Sequence, residues 1–144
     1  MTENTVKLEV VINLPYREVL AMKDDLLNHF PRIDTLEDMD NGVYHLKQHP
    51  IKLNMTNMSF TPCFAVEIVE LDGALHWLPH PMQGECNMCL HGKGEHTEGD
   101  KTLLTITSEL KGEFPAIYGL MVPAAHKKII RDMINKFVAS VEAA

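Results

Sequence analysis

The C-terminal part of the chain carries the pattern that most constrains its fold. From Pro115 to about Glu142, apolar residues recur at intervals of three and four, the period of an α-helix with one buried face. These residues are Leu120, Val122, Ile129, Ile130, Met133, Ile134, Phe137, Val138 and Val141. Basic residues lie among them, and Pro123 allows a kink. The sequence therefore predicts one long amphipathic helix, whose apolar face the rest of the chain must cover.

The beginning of the chain predicts one strand and two short helices. Residues 6–14 (VKLEVVINL) alternate apolar and polar side chains, as in a strand with one face buried. Pro15 ends this strand. Residues 16–30 carry apolar side chains at helical spacing, which indicates two short helices that stop before Pro31.

A hairpin and a longer strand are predicted next. Residues 33–39 and 42–50 are joined by Asp-Asn-Gly, a strong hairpin signal because Asn and Gly tolerate a positive φ. Residues 58–71 (MSFTPCFAVEIVEL) are rich in strand-forming residues, and Pro62 in their middle suggests an edge position or a bulge.

Three more strands complete the middle of the chain. Asp72-Gly73 predicts a turn into residues 74–79, and residues 85–96 and 101–111 face each other across the turn TEGD. The chain therefore contains seven candidate strands before its last helix.

This order of elements resembles the helix-grip fold of the START-like superfamily, also called SRPBCC. The resemblance is carried by residues 6–34 (VKLEVVINLPYREVLAMKDDLLNHFPRID) and 115–143 (PAIYGLMVPAAHKKIIRDMINKFVASVEA). It implies a single α+β domain over residues 1–144, in which a curved, seven-stranded antiparallel sheet wraps around the C-terminal helix, commonly with an apolar cavity between them. The superfamily includes lipid-transfer domains, pollen-allergen relatives and polyketide cyclases, so it implies an architecture more than an activity.

Residues 76–96 (HWLPHPMQGECNMCLHGKGEH) are rich in potential metal ligands. They hold four of the eight histidines and two of the three cysteines. In a strand, however, Cys86 and Cys89 point to opposite faces and could not bind one metal together. The haem-attachment signal is also absent, because Leu90 separates the second cysteine from His91. We therefore expect no metal and no cofactor.

The same strand predicts which side chains face the interior. Cys86, Met88 and Leu90 are expected inside, and Cys89, His91, Lys93 and Glu95 outside. An odd number of cysteines, three, without a recognisable secretory signal indicates reduced thiols rather than a disulfide framework.

Charge and hydropathy narrow the partners. The net charge of −7 repels phosphate backbones, so we expect no nucleic-acid partner. The start of the chain carries no secretory pattern, which predicts a cytoplasmic protein. The longest apolar run, residues 114–125, is shorter than the ~20 residues of a membrane-spanning helix, so no transmembrane segment is expected. These patterns leave the oligomeric state open.

The apolar face of the predicted sheet suggests a binding wall. In the predicted strands, the residues expected to face the helix are Met58, Phe60, Phe64, Val66, Met88, Leu90, Leu104 and Ile106. Opposite them on the helix would lie His126, Ile130 and Met133. Methionine is unbranched and adapts to ligands of varied shape, although such residues also form ordinary cores. The sequence therefore predicts binding of a small hydrophobic or amphipathic molecule, such as a lipid, between sheet and helix.

Two alternatives remain at this point. An enzyme of polyketide cyclase or dehydratase type would use polar groups such as His126, Glu67 or Tyr118 within an apolar pocket. A protein-interaction or redox-responsive domain would use an exposed Cys89. Binding is preferred because no acid, base and nucleophile cluster in the sequence, and no catalytic residue is assigned.

Overall fold

The structure, a computed structural model, describes residues 2–39, 41–52, 59–80, 88–97, 100–112 and 121–144. Its strands in these ranges are β1 (Thr2–Ile12), β2 (Ile33–Asp38), β3 (Val43–Gln48), β4 (Ile51–Lys52), β5 (Ser59–Phe60), β6 (Cys63–Leu71), β7 (Ala74–His80), β8 (Met88–Thr97) and β9 (Lys101–Gly112). Its helices there are α1 (Tyr16–Ala21), a 3₁₀ helix (Lys23–His29) and α2 (Met121–Ala143).

Seven of the described strands form one antiparallel sheet. Their order is β1-β9-β8-β7-β6-β3-β2, while β4 and β5 form a separate pair. The sheet is curved and α2 packs on it, so the predicted α+β helix-grip fold is confirmed. None of the helices in the described ranges is both long and apolar enough to cross a bilayer.

The first elements form as their sequence predicts. Val6 and Ile12 of β1 are buried, and the polar residues between them alternate outward while the strand pairs with β9 over its whole length. The carbonyl oxygen of Pro15 then accepts hydrogen bonds from the backbone N–H groups of Glu18 and Val19, which starts α1. The two predicted short helices are α1 and the 3₁₀ helix.

The prediction of one long strand across Pro62 is wrong. The chain forms β5 first and starts β6 at Cys63, and β6 lies inside the sheet between β3 and β7 rather than at an edge. Proline has no N–H to donate to a neighbouring strand, so the inner strand begins after it. The carbonyl oxygen of Pro62 does contribute, because it accepts the backbone N–H of Gln48 at 2.9 Å.

An aromatic cluster joins the helices to the sheet. The ring of Phe30, after the 3₁₀ helix, stacks on Phe137 of α2 with centroids 4.5 Å apart. It also meets Phe64 of β6 and Trp77 of β7 edge-on at 5.4 and 5.8 Å. Apolar positions of α2 at intervals of three and four are buried in the same core, as predicted. Residues 115–120 of the predicted helix lie outside the described residues.

The expectation of reduced thiols is wrong for one cysteine. Cys63 is buried in β6 and is disulfide-bonded. A count of three cysteines allows one pair with one residue left over, so the odd number did not exclude a disulfide. The side chains of Cys86 and Cys89 lie outside the described residues. The exposure of Cys89 therefore stays a prediction.

Candidate ligand-binding site

The predicted wall residues lie in the hydrophobic core. Nine of them are at most 4% exposed: Phe60, Phe64, Val66, Leu90, Leu104, Ile106, His126, Ile130 and Met133. Met58 lies outside the described residues, as does the side chain of Met88. Around Leu104, Trp77 and Phe137 the core leaves a void of about 10 Å³, at the limit of what one water molecule needs. That part of the interior is therefore closely packed.

Larger spaces lie along one side of α2. A cavity of about 190 Å³ is lined by Pro31, Arg32, Gln48, Ile51, Ile129, Asp132, Met133 and Lys136. A second cavity of about 390 Å³ is lined by Ile51, Lys52, Met121, Ala125, Lys128, Ile129 and Asp132. The two cavities share Ile51, Ile129 and Asp132, and we call them together the α2 groove. Of the predicted ligand residues that the structure describes, Met133 lines the α2 groove.

On the side of the groove opposite α2, hydrogen bonds hold the lining residues Pro31 and Arg32 against the end of β3. The side-chain Nε2 of Gln48 donates to the carbonyl oxygen of Pro31 at 2.6 Å. The backbone N–H of His49 donates to the carbonyl oxygen of Arg32 at 3.0 Å. Arg32 has a φ of 57°, which is uncommon for a residue other than glycine. These contacts hold the Pro31–Arg32 turn against β3. Ile51 follows directly in β4.

Gln48 itself is a polar residue in a core position. It shares a strand face with Leu46 and is only 2% exposed. Its Oε1 is buried without a hydrogen-bond partner in the described part of the chain. Buried polar atoms are nearly always paired, so this acceptor stands out.

The charged side chains around the groove are mostly basic. Its described lining includes Arg32, Lys52, Lys128 and Lys136 but only one acidic residue, Asp132. This balance is opposite in sign to the net charge of −7 for the whole chain. The groove therefore combines apolar contacts with a locally basic rim, an arrangement suited to an amphipathic molecule.

Sequence reasoning missed most of this groove. Gln48 could have been noticed as a polar residue in the inward phase of a strand, after Leu46. Ile129 was part of the periodic pattern of the helix, but periodicity does not show whether a position meets a packed wall or a cavity. Two-residue strands such as β4 carry no periodic signal at all.

His126 lies away from this groove, in the core between α2 and the sheet. Its ring is fully buried: Nδ1 lies 2.9 Å from Asn4 Nδ2 of β1, and Nε2 lies 2.9 Å from Ser108 Oγ of β9. An amide nitrogen can only donate, so Nδ1 accepts and the proton is on Nε2, which donates to the serine oxygen. Burial lowers the pKa of His126 to about 4, so the ring is neutral near pH 7.

Two of the three polar groups suggested for a cyclase-type enzyme, His126 and Glu67, are described, and they are not brought together. Both ring nitrogens of His126 are occupied by internal hydrogen bonds. Glu67 alternates with the core residues Val66 and Ile68 and therefore faces the other side of the sheet. Tyr118 lies outside the described residues. The geometry gives His126 and Glu67, the two described members, no shared reaction site.

A second polar cluster has the residue types of a catalytic triad. His29 Nδ1 lies 2.8 Å from Ser140 Oγ of α2, and His29 Nε2 lies 3.6 Å from Asp25 Oδ2. None of the three is among the residues that line the cavities described above. The contacts of His29 with Ser140 and Asp25 connect the 3₁₀ helix to the end of α2.

The described part of the histidine-rich segment forms a solvated strand face. Leu90 is buried, whereas His91 and Lys93 are partly exposed on the other face, as predicted. His91 Nε2 lies 3.9 Å from Glu109 Oε1, and Lys93 forms an ion pair with Glu95. Among the residues that the structure describes, no group of three His, Cys, Asp or Glu side chains could hold a metal ion.

These features define the class to which the fold belongs. A curved antiparallel sheet, two short helices after its first strand and a long closing helix give the chain the START-like, helix-grip fold.

Solved structures with this fold come from distant organisms. TTHA0849 from Thermus thermophilus aligns with a TM-score of 0.66 at 15% identity, over 96% of this chain and 97% of that one. A START superfamily protein from Mycobacterium smegmatis gives 0.57 at 14% identity, over 96% and 94%. Human STARD10 gives 0.57 at 9% identity, over 95% and 62%. No protein-family model and no curated protein sequence matches this chain.

Proposed function

We propose that this protein binds a small hydrophobic or amphipathic molecule in the α2 groove, between the helix and the β2–β4 side of the fold. The observation that carries the proposal is the pair of adjacent cavities, of about 190 and 390 Å³. Ligand pockets are typically ~300–1,000 Å³, and an engineered apolar cavity of about 150 Å³ binds benzene. A ring or a short alkyl chain would therefore fit.

The lining supports an amphipathic ligand in particular. Ile51, Ile129 and Met133 offer apolar surface, which favours binding in proportion to the area removed from water. Arg32 and Lys136 line the same cavity with only Asp132 to offset their charge, which disfavours a cationic ligand.

The α2 groove lies beside the wall that the sequence predicts for the ligand. Met133 belongs to both sets of residues and connects the groove to the core. Ligand contact at the other predicted residues, such as Phe60 and Ile130, stays a prediction. Such a contact requires the core to open. The cytoplasmic location also stays a prediction.

Filling the larger cavity tests the proposal. Ala125 lines it, so Ala125→Trp would occupy space that a ligand needs. Ala139 is exposed on the same helix and does not line either cavity of the groove, so Ala139→Trp is the matched control. The probe is 1-octanol, titrated into delipidated protein and followed by calorimetry.

We expect Ala139→Trp to bind 1-octanol as wild type does, and Ala125→Trp to bind at least about tenfold more weakly, a loss of ~1.4 kcal/mol. Equal affinities of the two variants would contradict binding in the groove. Circular dichroism of both variants checks that each retains the fold.

A further inference from the structure

The α2 groove is lined by an excess of basic residues in a chain whose net charge is −7. We infer that the groove selects an anionic amphiphile, a single short apolar chain that ends in a group such as a carboxylate, over a cationic molecule of the same size. This inference rests on the proposed function and names the class of ligand that the groove takes.

Both cavities of the groove contribute to this excess. Arg32 and Lys136 line the smaller cavity, and Lys52 and Lys128 line the larger one. The acidic residue among the described lining residues is Asp132, which is shared by the two cavities. Over the whole chain, 20 acidic residues outnumber 13 basic ones. The positive charge is therefore a local property of the groove and not of the protein as a whole.

The basic residues of the groove keep their charge available to a ligand. All four are exposed, so their long side chains can hold the charged ends in water. Arg32 Nη2 donates to the carbonyl oxygen of Pro50 at 3.1 Å, a neutral partner that does not compensate the charge. Within the described part of the chain, none of the four is held in an ion pair. Asp132 offsets one unit of charge and leaves the basic charges in excess.

The shape of the site allows these charges to act together. A single exposed ion pair contributes little to binding, because water and salt screen it. Several charges of one sign around a concave surface add to one field, which attracts an ion of the opposite sign more strongly than each charge does alone. An anionic head group can interact with this field while it stays hydrated. The ligand therefore does not have to carry its charge into the apolar part of the groove.

The apolar lining and the size of the groove define the rest of the ligand. Ile51 and Ile129 line both cavities, Met133 lines the smaller one and Ala125 the larger one. Their apolar surface favours burial of a hydrocarbon chain. Cavities of about 190 and 390 Å³ suit one small molecule rather than a lipid with two acyl chains. The ligand expected from these features is a free, single-chain acid.

Three probes with the same number of carbon atoms isolate the sign of the charge. At pH 7 octanoate is an anion, octylammonium is a cation and 1-octanol is neutral. Calorimetric titration into delipidated protein at 0.1 M salt, where the Debye length is about 10 Å, gives the affinity for each probe. Repeating the titrations in 1 M NaCl, where the Debye length is about 3 Å, shows how much of each affinity depends on charge.

Charge-matched variants of α2 distinguish the groove from the charge of the whole protein. Lys128→Gln/Lys136→Gln removes two of the lining charges. The control, Lys127→Gln/Arg131→Gln, removes two charges from exposed residues of the same helix that do not line either cavity of the groove. Asp132→Asn removes the acidic lining residue and changes the local charge in the opposite direction.

We expect wild type at 0.1 M salt to bind octanoate about tenfold more tightly than octylammonium, and this preference to fall to about twofold or less in 1 M NaCl. Lys128→Gln/Lys136→Gln should bind octanoate about fivefold more weakly, and the control should change its affinity by less than about twofold. Asp132→Asn should bind octanoate about two- to threefold more tightly, which damage to the groove could not produce.

Equal binding of octanoate and octylammonium by wild type, or tighter binding of octylammonium, would overturn the inference. Binding of 1-octanol would in that case leave the proposed groove in place. Equal weakening of octanoate binding in the two double variants would also overturn the inference, because the effect would then come from the charge of the whole protein. Binding of none of the three probes by wild type would overturn the proposed function together with the inference.

Discussion

Gly92 shows how closely the concave face of the sheet is packed. A Cβ atom at this position would lie 2.5 Å from Ile106 Cδ1 and 2.8 Å from the carbonyl oxygen of Thr105, both on β9. The backbone oxygen cannot move away without disturbing the pairing of β8 with β9. Glycine is therefore required here by space rather than by its conformational freedom.

We expect Gly92→Ala to lower the free energy of unfolding by ~1–3 kcal/mol, the usual range for overpacking. Gly94→Ala is the matched control on the same strand, because the nearest atom to its Cβ would be Leu75 Cβ at 3.8 Å. The control should lose no more than ~0.5 kcal/mol. Urea denaturation measures both, and equal losses would show that space at Gly92 is not limiting.

His126 makes the stability of the fold depend on pH. In the unfolded chain its imidazole has the ordinary pKa of 6.5, whereas burial lowers the folded-state pKa to about 4. Between these values the unfolded state binds a proton that the folded state does not. Stability from the neutral ring is therefore complete above pH 6.5 and is lost as the pH falls towards 4, by up to about 3 kcal/mol.

The variant His126→Gln cannot take up this proton. Between pH 7 and pH 4.5 we expect wild type to lose more unfolding free energy than His126→Gln, with the difference measured by urea denaturation at each pH. Carboxylates titrate in both proteins, so they cancel in the comparison. Parallel losses in the two proteins would contradict the buried neutral histidine.

At the scale of elements, strands and turns with strong local signals were predicted well. Gly42 and Gly73 have φ angles of 84° and 78°, as the two turns predicted around them require. The break at Pro62 was misjudged because the sequence showed one continuous strand-forming run, while only the sheet order reveals that β6 is an inner strand. The groove was missed because it depends on how α2 sits beside β3 and β4.

The packing of α2 against the rest of the fold depends on Phe137. Its ring is fully buried, stacks on Phe30 and meets Trp77 edge-on at 5.6 Å. We expect Phe137→Ala to cost about 3–5 kcal/mol of unfolding free energy, as truncation of a buried aromatic side chain usually does. Met121 begins the same helix but is 42% exposed, so Met121→Ala should cost well under half as much. Chemical denaturation compares the two, and similar costs would contradict the packing described.

At the scale of the whole molecule, the packed core and the proposed binding site lie in different places. The described residues of the wall that the sequence suggested for a ligand lie in the hydrophobic core, where Phe64, Leu104 and Ile106 are at most 2% exposed. Space and basic charge lie instead beside α2, around Ile51 and Ile129. An apolar face can be predicted from periodicity, but whether that face meets side chains or an empty space is a property of the assembled fold.

Methyl NMR of the protein with 1-octanol locates the ligand most directly. Intermolecular nuclear Overhauser effects from the octanol chain to the methyl groups of Ile51, Ile129 and Met133 are predicted, because these residues line the α2 groove. The core residues Leu104 and Ile106 should show none, since their surroundings are packed. Effects confined to Leu104 and Ile106, with none at Ile51 and Ile129, would contradict the proposed site.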